Sequence, residues 1–105
     1  MTNSSPNGVA FRVVYSESVR NRIKALGKRA RQVGVGPEFL AAVKAVDAAL
    51  RRSPETFGDP SYHLAAARLT IYVRIYEPLL VTYSVHRDKP IVFLRSIEPF
   101  PDNAF

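Results

Sequence analysis

Apolar residues in the first half of the chain repeat every three or four positions, which is the period of an amphipathic helix. The first stripe consists of Val19, Ile23, Leu26, Ala30 and Val33. Ser16 is a suitable N-cap for this helix, and Gly34 and Gly36 end it. A second stripe follows Pro37, which suits the first turn of a helix, and it consists of Phe39, Val43, Val46 and Leu50. The pattern therefore predicts two helices that form a hairpin across a short glycine turn.

The second half of the chain alternates between apolar and polar residues, which is the period of β-strands. Three strands are predicted, over 69–76, 80–86 and 91–98, with proline in the turns between them. A further strand is predicted at 10–15, a short segment rich in β-branched and aromatic residues. The short turns imply that the last three strands pair antiparallel.

The predicted order of elements is β-α-α-β-β-β, and the predicted fold class is α+β. The N-terminal helical hairpin should pack on one face of an antiparallel sheet and leave the other face open to solvent. Segment 53–60 is rich in helix breakers and is predicted to be a connecting loop. Residues 10–100 are predicted to form a single domain, between a flexible N-terminal tail at 1–9 and a C-terminal tail at 101–105.

Length and composition exclude several classes of function for this chain. A chain of 105 residues can build one core, but not a core together with a roomy cavity, so we expect no large cofactor. The absence of cysteine excludes a disulfide framework, a thiolate nucleophile and a zinc–thiolate site. We predict no signal peptide, no membrane span and no metal. The cytoplasm is the default expectation for a chain without cysteine.

The balance of charge favours an acidic or polyanionic partner. Lys and Arg outnumber Asp and Glu by 15 to 9, and the net charge is +6. No acidic residue lies between Glu17 and Glu38, and one face of the first predicted helix carries Arg20, Lys24, Lys28 and Arg31. This face is a candidate for RNA binding or for contact with an acidic protein, although a solvated helix surface would have the same pattern.

Polar and aromatic side chains are expected to gather on the open face of the sheet. One strand contributes Tyr72, Arg74 and Tyr76, and the next contributes Thr82, Ser84 and His86. Arg95 lies on one face or the other, depending on the register of the last strand. A purely structural role is the alternative, in which Arg74 pairs with Glu98 and the two tyrosines pack at the rim of the core.

Several short motifs occur in a characteristic order: Phe11-Arg-Val-Val-Tyr-Ser16, Ser53-Pro54, Phe57-Gly58, Tyr72-Val-Arg-Ile-Tyr76 and Val81-Thr-Tyr-Ser-Val85. Together they resemble the RelE/ParE superfamily, the toxins of bacterial type II toxin–antitoxin systems. The resemblance covers roughly residues 10 to 98. It implies a cognate antitoxin as partner.

The resemblance implies one of two activities. RelE-like members cleave mRNA in the ribosomal decoding site, and ParE-like members inhibit DNA gyrase without cleavage. Cleavage by a 2′-hydroxyl needs a proton acceptor, cations for the charge on the phosphate, and a proton donor for the leaving oxygen, but no metal. The resemblance puts a phosphate-binding arginine at Arg74, with Arg95 as a possible second. Tyr76 and His86 are candidates for proton exchange, and Tyr72 is a candidate for stacking on an RNA base.

The sequence departs from the RelE pattern at its C-terminus, because the tail from Ile97 to Phe105 lacks the arginine and tyrosine of that pattern. The leading prediction is a toxin that blocks translation as a ribosome-dependent mRNA endonuclease, with ribosome and mRNA as its targets. The alternatives are a non-enzymatic gyrase inhibitor and a degenerate homologue that only binds its antitoxin. A more distant alternative is a nucleic-acid-binding module that uses its tyrosines as stacking platforms.

Overall fold

The computed structural model describes residues 10–102 and 104–105. Its elements, in chain order, are β1 (Arg12–Tyr15), α1 (Glu17–Gln32), α2 (Gly36–Arg52), α3 (Pro54–Phe57), β2 (Asp59–Leu64), β3 (Leu69–Tyr76), β4 (Leu79–His86) and β5 (Ile91–Pro99). A 3₁₀ turn, Ala65–Ala67, joins β2 to β3. The fold is mixed α+β, and both predicted helices and all four predicted strands are confirmed.

The helix ends follow the predicted capping chemistry. The Ser16 side chain accepts a hydrogen bond from the amide of Val19, 3.2 Å away, at the start of α1. Gly34 follows the C-cap of that helix with a φ of 83°, a backbone conformation that glycine adopts without strain. These two positions fix the length of α1 and the turn into α2.

The helices α1 and α2 pack closely at Gly27. A methyl group at that position would lie 3.3 Å from the ring of Phe39, so the absence of a side chain lets the helices approach. The α2 face turned inward is buried at Phe39, Ala42, Val46 and Leu50. The apolar stripes predicted from sequence are therefore the surfaces by which the hairpin meets the core.

The sheet has the strand order β1-β5-β4-β3-β2. The prediction of an antiparallel sheet is correct for the pairs formed by β2 to β5, but β1 lies parallel to β5. The reason is that the α1–α2 hairpin separates β1 from the rest of the sheet. After two helices, the chain is free to return in either direction, and no tight turn forces antiparallel pairing.

The prediction of a loop at 53–60 is wrong. Pro54–Phe57 forms the short helix α3, and Asp59 begins the additional strand β2, which pairs antiparallel with β3. A register shift between Pro60 and Tyr62 interrupts this pairing. Most of β2 is exposed and it contains a proline, so its sequence lacks the alternation by which the other strands were recognised.

The predicted faces of β3 are also wrong. Tyr72 lies opposite Tyr83 and Arg74 opposite Val81, while Ser84 lies opposite Ile71. Residues directly opposite in an antiparallel pair share a face. Tyr72, Arg74 and Tyr76 are therefore on the face that the helices cover, and they do not share a face with Thr82, Ser84 and His86. Alternation shows which residues of one strand lie together, but the pairing register determines how the faces of two strands match.

The helix-covered face holds the main core. The strands contribute Val13, Tyr72, Leu79, Val81, Tyr83, Val85, Val92, Leu94 and Ile97, and the helices contribute Val19, Leu26, Ala30, Phe39, Ala42, Val46 and Leu50. On the opposite face, a row of residues crosses all five strands, formed by Val14, Phe93, Ser84, Ile71 and Tyr62, and only Ser84 among them is polar. The expectation of a polar open face is thus corrected for this row, because four of its five residues are aliphatic or aromatic.

The two predicted tails differ in what the structure describes. The N-terminal tail at 1–9 lies outside the described residues. At the other end, Phe105 is buried, with its ring 5.4 Å from that of Phe39, and its carbonyl oxygen accepts a hydrogen bond from Arg29 at 2.6 Å. The last residue therefore belongs to the folded domain. Among the described residues, no helix is long and apolar enough to cross a membrane.

Candidate functional site

Arg74 of β3 contacts the end of α3. Its Nη1 atom donates a hydrogen bond to the carbonyl oxygen of Phe57 at 2.8 Å, and its Cζ atom lies 4.8 Å from the centre of the Phe57 ring. A guanidinium over an aromatic face is attracted by the negative charge of the ring surface. Two contacts to one residue therefore orient Arg74, although its side chain is exposed.

Other aromatic rings pack around the ring of Phe57. The ring of Phe57 is 6.1 Å from that of Tyr76 and 6.3 Å from that of Tyr83. Tyr83 in turn stacks on Tyr72, with ring centres 5.3 Å apart and planes 7° from parallel. Such ring pairs stabilise the fold by more than the burial of their surface alone. We refer to Phe57, Tyr72, Arg74, Tyr76 and Tyr83 as the Phe57 cluster.

Tyr83 fixes α3 to the sheet. Its hydroxyl donates to the carbonyl oxygen of Pro54 at 2.5 Å, and burial raises the pKa of this hydroxyl, so that it remains a donor at neutral pH. A methyl group on Gly58 would lie 2.7 Å from the Tyr83 hydroxyl and 3.0 Å from the carbonyl oxygen of Val73. Only glycine fits this approach without displacement of the strand. The position of Phe57, and through it of Arg74, follows from these contacts.

Arg74 retains the capacity to bind an anion. A guanidinium carries several N–H donors, and the described residues engage only one of them in a hydrogen bond, the bond to Phe57. The Arg74–Glu98 ion pair considered from sequence is wrong, because Glu98 pairs with Arg22 of α1, with Nη2 and Oε1 2.5 Å apart. Arg74 is therefore oriented, exposed and not neutralised by Glu98.

The other residues of the cluster differ in access. Tyr76 is half-buried beside Phe57 and lies on the same face of β3 as Arg74. Tyr72 has only 9% of its surface exposed, and burial raises the pKa of its hydroxyl. A ring enclosed in this way cannot also stack on an RNA base, so the predicted role of Tyr72 is corrected to packing.

His86 and Arg95 lie apart from the Phe57 cluster. His86 is opposite Leu69, five positions along β3 from Arg74 and on the other face, which separates the two residues by about 17 Å along the strand. Arg95 is exposed and occurs where the β4–β5 register shifts, between the pairs Thr82–Ser96 and Tyr83–Leu94. Of the four predicted catalytic residues, the structure brings only Arg74 and Tyr76 together.

The predicted basic face of α1 is present. Arg20, Lys24, Lys28 and Arg31 are all exposed, and none of them forms an ion pair within the part of the chain that the structure describes. Lys24 and Arg31 flank a groove of about 480 Å³ between α1 and α2, whose apolar lining includes Ile23, Phe39 and Leu40. A basic rim around an apolar floor suits an amphipathic segment with acidic residues.

Two residues of the site could not be identified from the sequence. Phe57 and Tyr83 each occur in one of the quoted motifs, but the sequence predicts neither as a site residue. The aromatic residue followed by glycine at 57–58 was the available signal, since a glycine there indicates close backbone approach. Within residues 10–102 and 104–105, no group of three or more His, Asp or Glu is arranged to hold a metal ion.

The sequence matches no protein-family model, and a search of curated proteins gives no match either.

Proposed function

We propose that this chain is the toxin component of a type II toxin–antitoxin system, of the RelE/ParE type. The observation that supports this most is the contact between Arg74 and Phe57. These residues come from two of the motifs on which the resemblance rests, and they are 17 positions apart in sequence. The fold joins them into one surface site, as expected if both motifs serve the same function.

The first candidate activity is cleavage of mRNA on the ribosome. Arg74 would bind the scissile phosphate and stabilise the charge that develops during attack by the 2′-hydroxyl. Its fixed orientation favours this role, because a preorganised cation needs little rearrangement in the transition state. Tyr76 is the neighbouring group that can donate a proton or contact the RNA.

The second candidate activity is binding to DNA gyrase without cleavage, as in a ParE-like inhibitor. A specific observation favours it: His86 and Arg95 are remote from Arg74. The target would then be held by the surface around Arg74, with no requirement for a proton acceptor.

The proposed antitoxin has a suitable surface on the helical hairpin. The groove between α1 and α2 combines an apolar floor with the cations Lys24 and Arg31. We expect an acidic amphipathic helix of the antitoxin to lie there, with its apolar side chains in the groove and its carboxylates at the rim.

Expression from an inducible plasmid in a bacterial host tests the proposal. The unaltered protein is expected to stop growth, and Arg74→Ala is expected to relieve the arrest, because it removes the oriented cation but no buried side chain. Lys44→Ala is the matched control, since it also removes one exposed positive charge but lies on α2 outside the Phe57 cluster. Normal growth with the unaltered protein, or full arrest by a soluble Arg74→Ala protein, would overturn the proposal.

A further inference from the structure

A cationic cleft lies at the end of the sheet where β4 turns into β5, and we refer to it as the β4–β5 cleft. Its volume is about 400 Å³, and three separate segments enclose it: Phe11 before β1, the α2–α3 junction and the turn after β4. Because these segments are far apart in sequence, the cleft exists only in the folded chain. It belongs to neither the Phe57 cluster nor the α1–α2 groove.

The cleft has an excess of positive charge. Its lining includes Arg52, Arg87 and Lys89, and none of them pairs with a carboxylate among the residues that the structure describes. Two acidic residues also line it, but Asp88 is already paired with Arg68, whose Nη2 donates to its Oδ1 at 2.8 Å. Three cations against the remaining carboxylate, Glu55, leave two uncompensated positive charges.

His86 adds an oriented neutral donor. Its Nδ1 atom accepts hydrogen bonds from the backbone amides of Asp88 at 3.0 Å and Lys89 at 3.1 Å. An acceptor nitrogen carries no proton, so the proton of the neutral ring is on Nε2, which can donate to a ligand. The same two bonds hold the turn that carries Arg87 and Lys89. The histidine thus orders the cationic wall of the cleft in addition to lining it.

We propose that this cleft binds a phosphate group of a single-stranded nucleic acid. Arginine and lysine side chains together with an N–H donor are the groups that bind phosphate oxygens. The half-buried ring of Phe11 supplies an apolar wall for the sugar or base of the same nucleotide. This site is additional to the proposed toxin activity and does not depend on it.

Binding of labelled oligonucleotides tests the proposal directly. The probes are a fluorescein-labelled twelve-nucleotide oligouridylate and the oligothymidylate of the same length, followed by fluorescence anisotropy at several salt concentrations. Arg87→Ala is expected to weaken binding roughly five- to tenfold and to reduce the slope of log affinity against log salt by about 0.7, the value for one lost phosphate contact on a single strand. The matched control, Lys44→Ala, should change affinity less than about twofold.

The outcomes separate the possible ligands. Equal affinity for both oligonucleotides would support recognition of the phosphate alone, and a preference for oligouridylate would support RNA as the source. Equal losses in Arg87→Ala and Lys44→Ala would overturn the proposal, because binding would then follow total charge. Competition by polyglutamate as effective as that by an oligonucleotide of equal charge would also overturn it, in favour of an acidic peptide.

A measurement on the unaltered protein keeps the test independent of any variant. In a titration with inorganic phosphate followed by nuclear magnetic resonance, the His86 ring and the amides of residues 87–89 are expected to shift together. Before phosphate is added, the His86 ring should carry its proton on Nε2. Shifts confined to α1, or a proton on Nδ1, would contradict the assignment of this cleft.

Discussion

Ser84 lies at the centre of the sheet face turned away from the helices, between Phe93 of β5 and Ile71 of β3. Its side chain is fully buried, and its hydroxyl oxygen has no hydrogen-bond partner among the described residues. A buried hydroxyl that gives up its bonds to water without replacement lowers stability. Ser84 is therefore a position where the native residue is not the most stable choice.

Ser84→Ala is expected to raise the free energy of unfolding by roughly 1 kcal/mol, because it removes an unsatisfied polar group and leaves only a small space. For a domain of this size that corresponds to an increase in Tm of about 4 °C or more. Thermal unfolding followed by circular dichroism measures it. The control is Ser96→Ala, at a half-buried serine of β5, and its Tm should remain close to that of the unaltered protein. A lower Tm for Ser84→Ala would show that the hydroxyl is bonded.

Individual residues also mark the limit of what the sequence could predict. Arg74 and Tyr76 were identified as a pair, because residues two apart in a strand share a face. The contact of Arg74 with Phe57 was not predicted, since it depends on how α3 packs on the sheet. Tyr72 is predicted on the solvent side because it alternates with the aliphatic residues Ile71 and Val73, whereas its pairing with Tyr83 and its burial assign it to the core.

Among the secondary-structure elements, β1 is joined to α2 by a three-residue network. The Tyr15 hydroxyl donates to Oδ1 of Asp47 at 2.5 Å, and Arg51 Nε donates to Oδ2 at 2.8 Å. Burial acts to raise the pKa of Asp47, but the hydrogen bonds from Arg51 and Tyr15 outweigh it and lower the pKa below its ordinary value. The network thus favours the charged carboxylate, and its contribution to stability depends on pH.

Asp47→Asn is expected to be less stable than the unaltered protein at neutral pH, and the difference should shrink in acid. The ordinary pKa of an aspartate is 3.8, and that of Asp47 is lower in the folded protein. Such a carboxyl group stabilises the fold at pH values above 3.8, and this contribution is lost as the pH falls below 3.8. Urea unfolding at a series of pH values from 7 to 2.5 measures it. Asp102→Asn, at an exposed carboxylate outside the network, should follow the unaltered protein throughout. A stability difference for Asp47→Asn that is constant with pH would contradict the role of the charge.

Elements with their own periodicity were predictable, and those stabilised by their neighbours were not. The stripes of α1 and α2 and the alternation of β3, β4 and β5 encode each element locally. In contrast, β2 is an exposed edge strand that contains Pro60 and a register shift. Its extended conformation is stabilised by pairing with β3. The parallel direction of β1 was likewise invisible, because a connection through two helices constrains it weakly.

At the scale of the whole molecule, the positive charge is concentrated where proposed partners would bind. The net charge of +6 includes the exposed cations on α1, the oriented Arg74 and the unpaired cations of the β4–β5 cleft. Three other arginines, Arg22, Arg51 and Arg68, form ion pairs with carboxylates. Association with polyanions should consequently weaken as the salt concentration rises. The net charge counted from the sequence favours a polyanionic partner, which stays a prediction, whereas only the fold distinguishes the three surfaces.

The most direct measurement of the central claim adds the purified protein to a translating bacterial extract and maps new mRNA 5′ ends by primer extension. A toxin that cleaves through Arg74 should produce ends within ribosome-occupied codons, and Arg74→Ala should produce none, while Lys44→Ala acts as the unaltered protein does. Intact message with inhibited gyrase in a parallel supercoiling assay would support the second candidate, binding without cleavage. Intact message, continued translation and unaffected supercoiling together would contradict the assignment of this chain as a toxin.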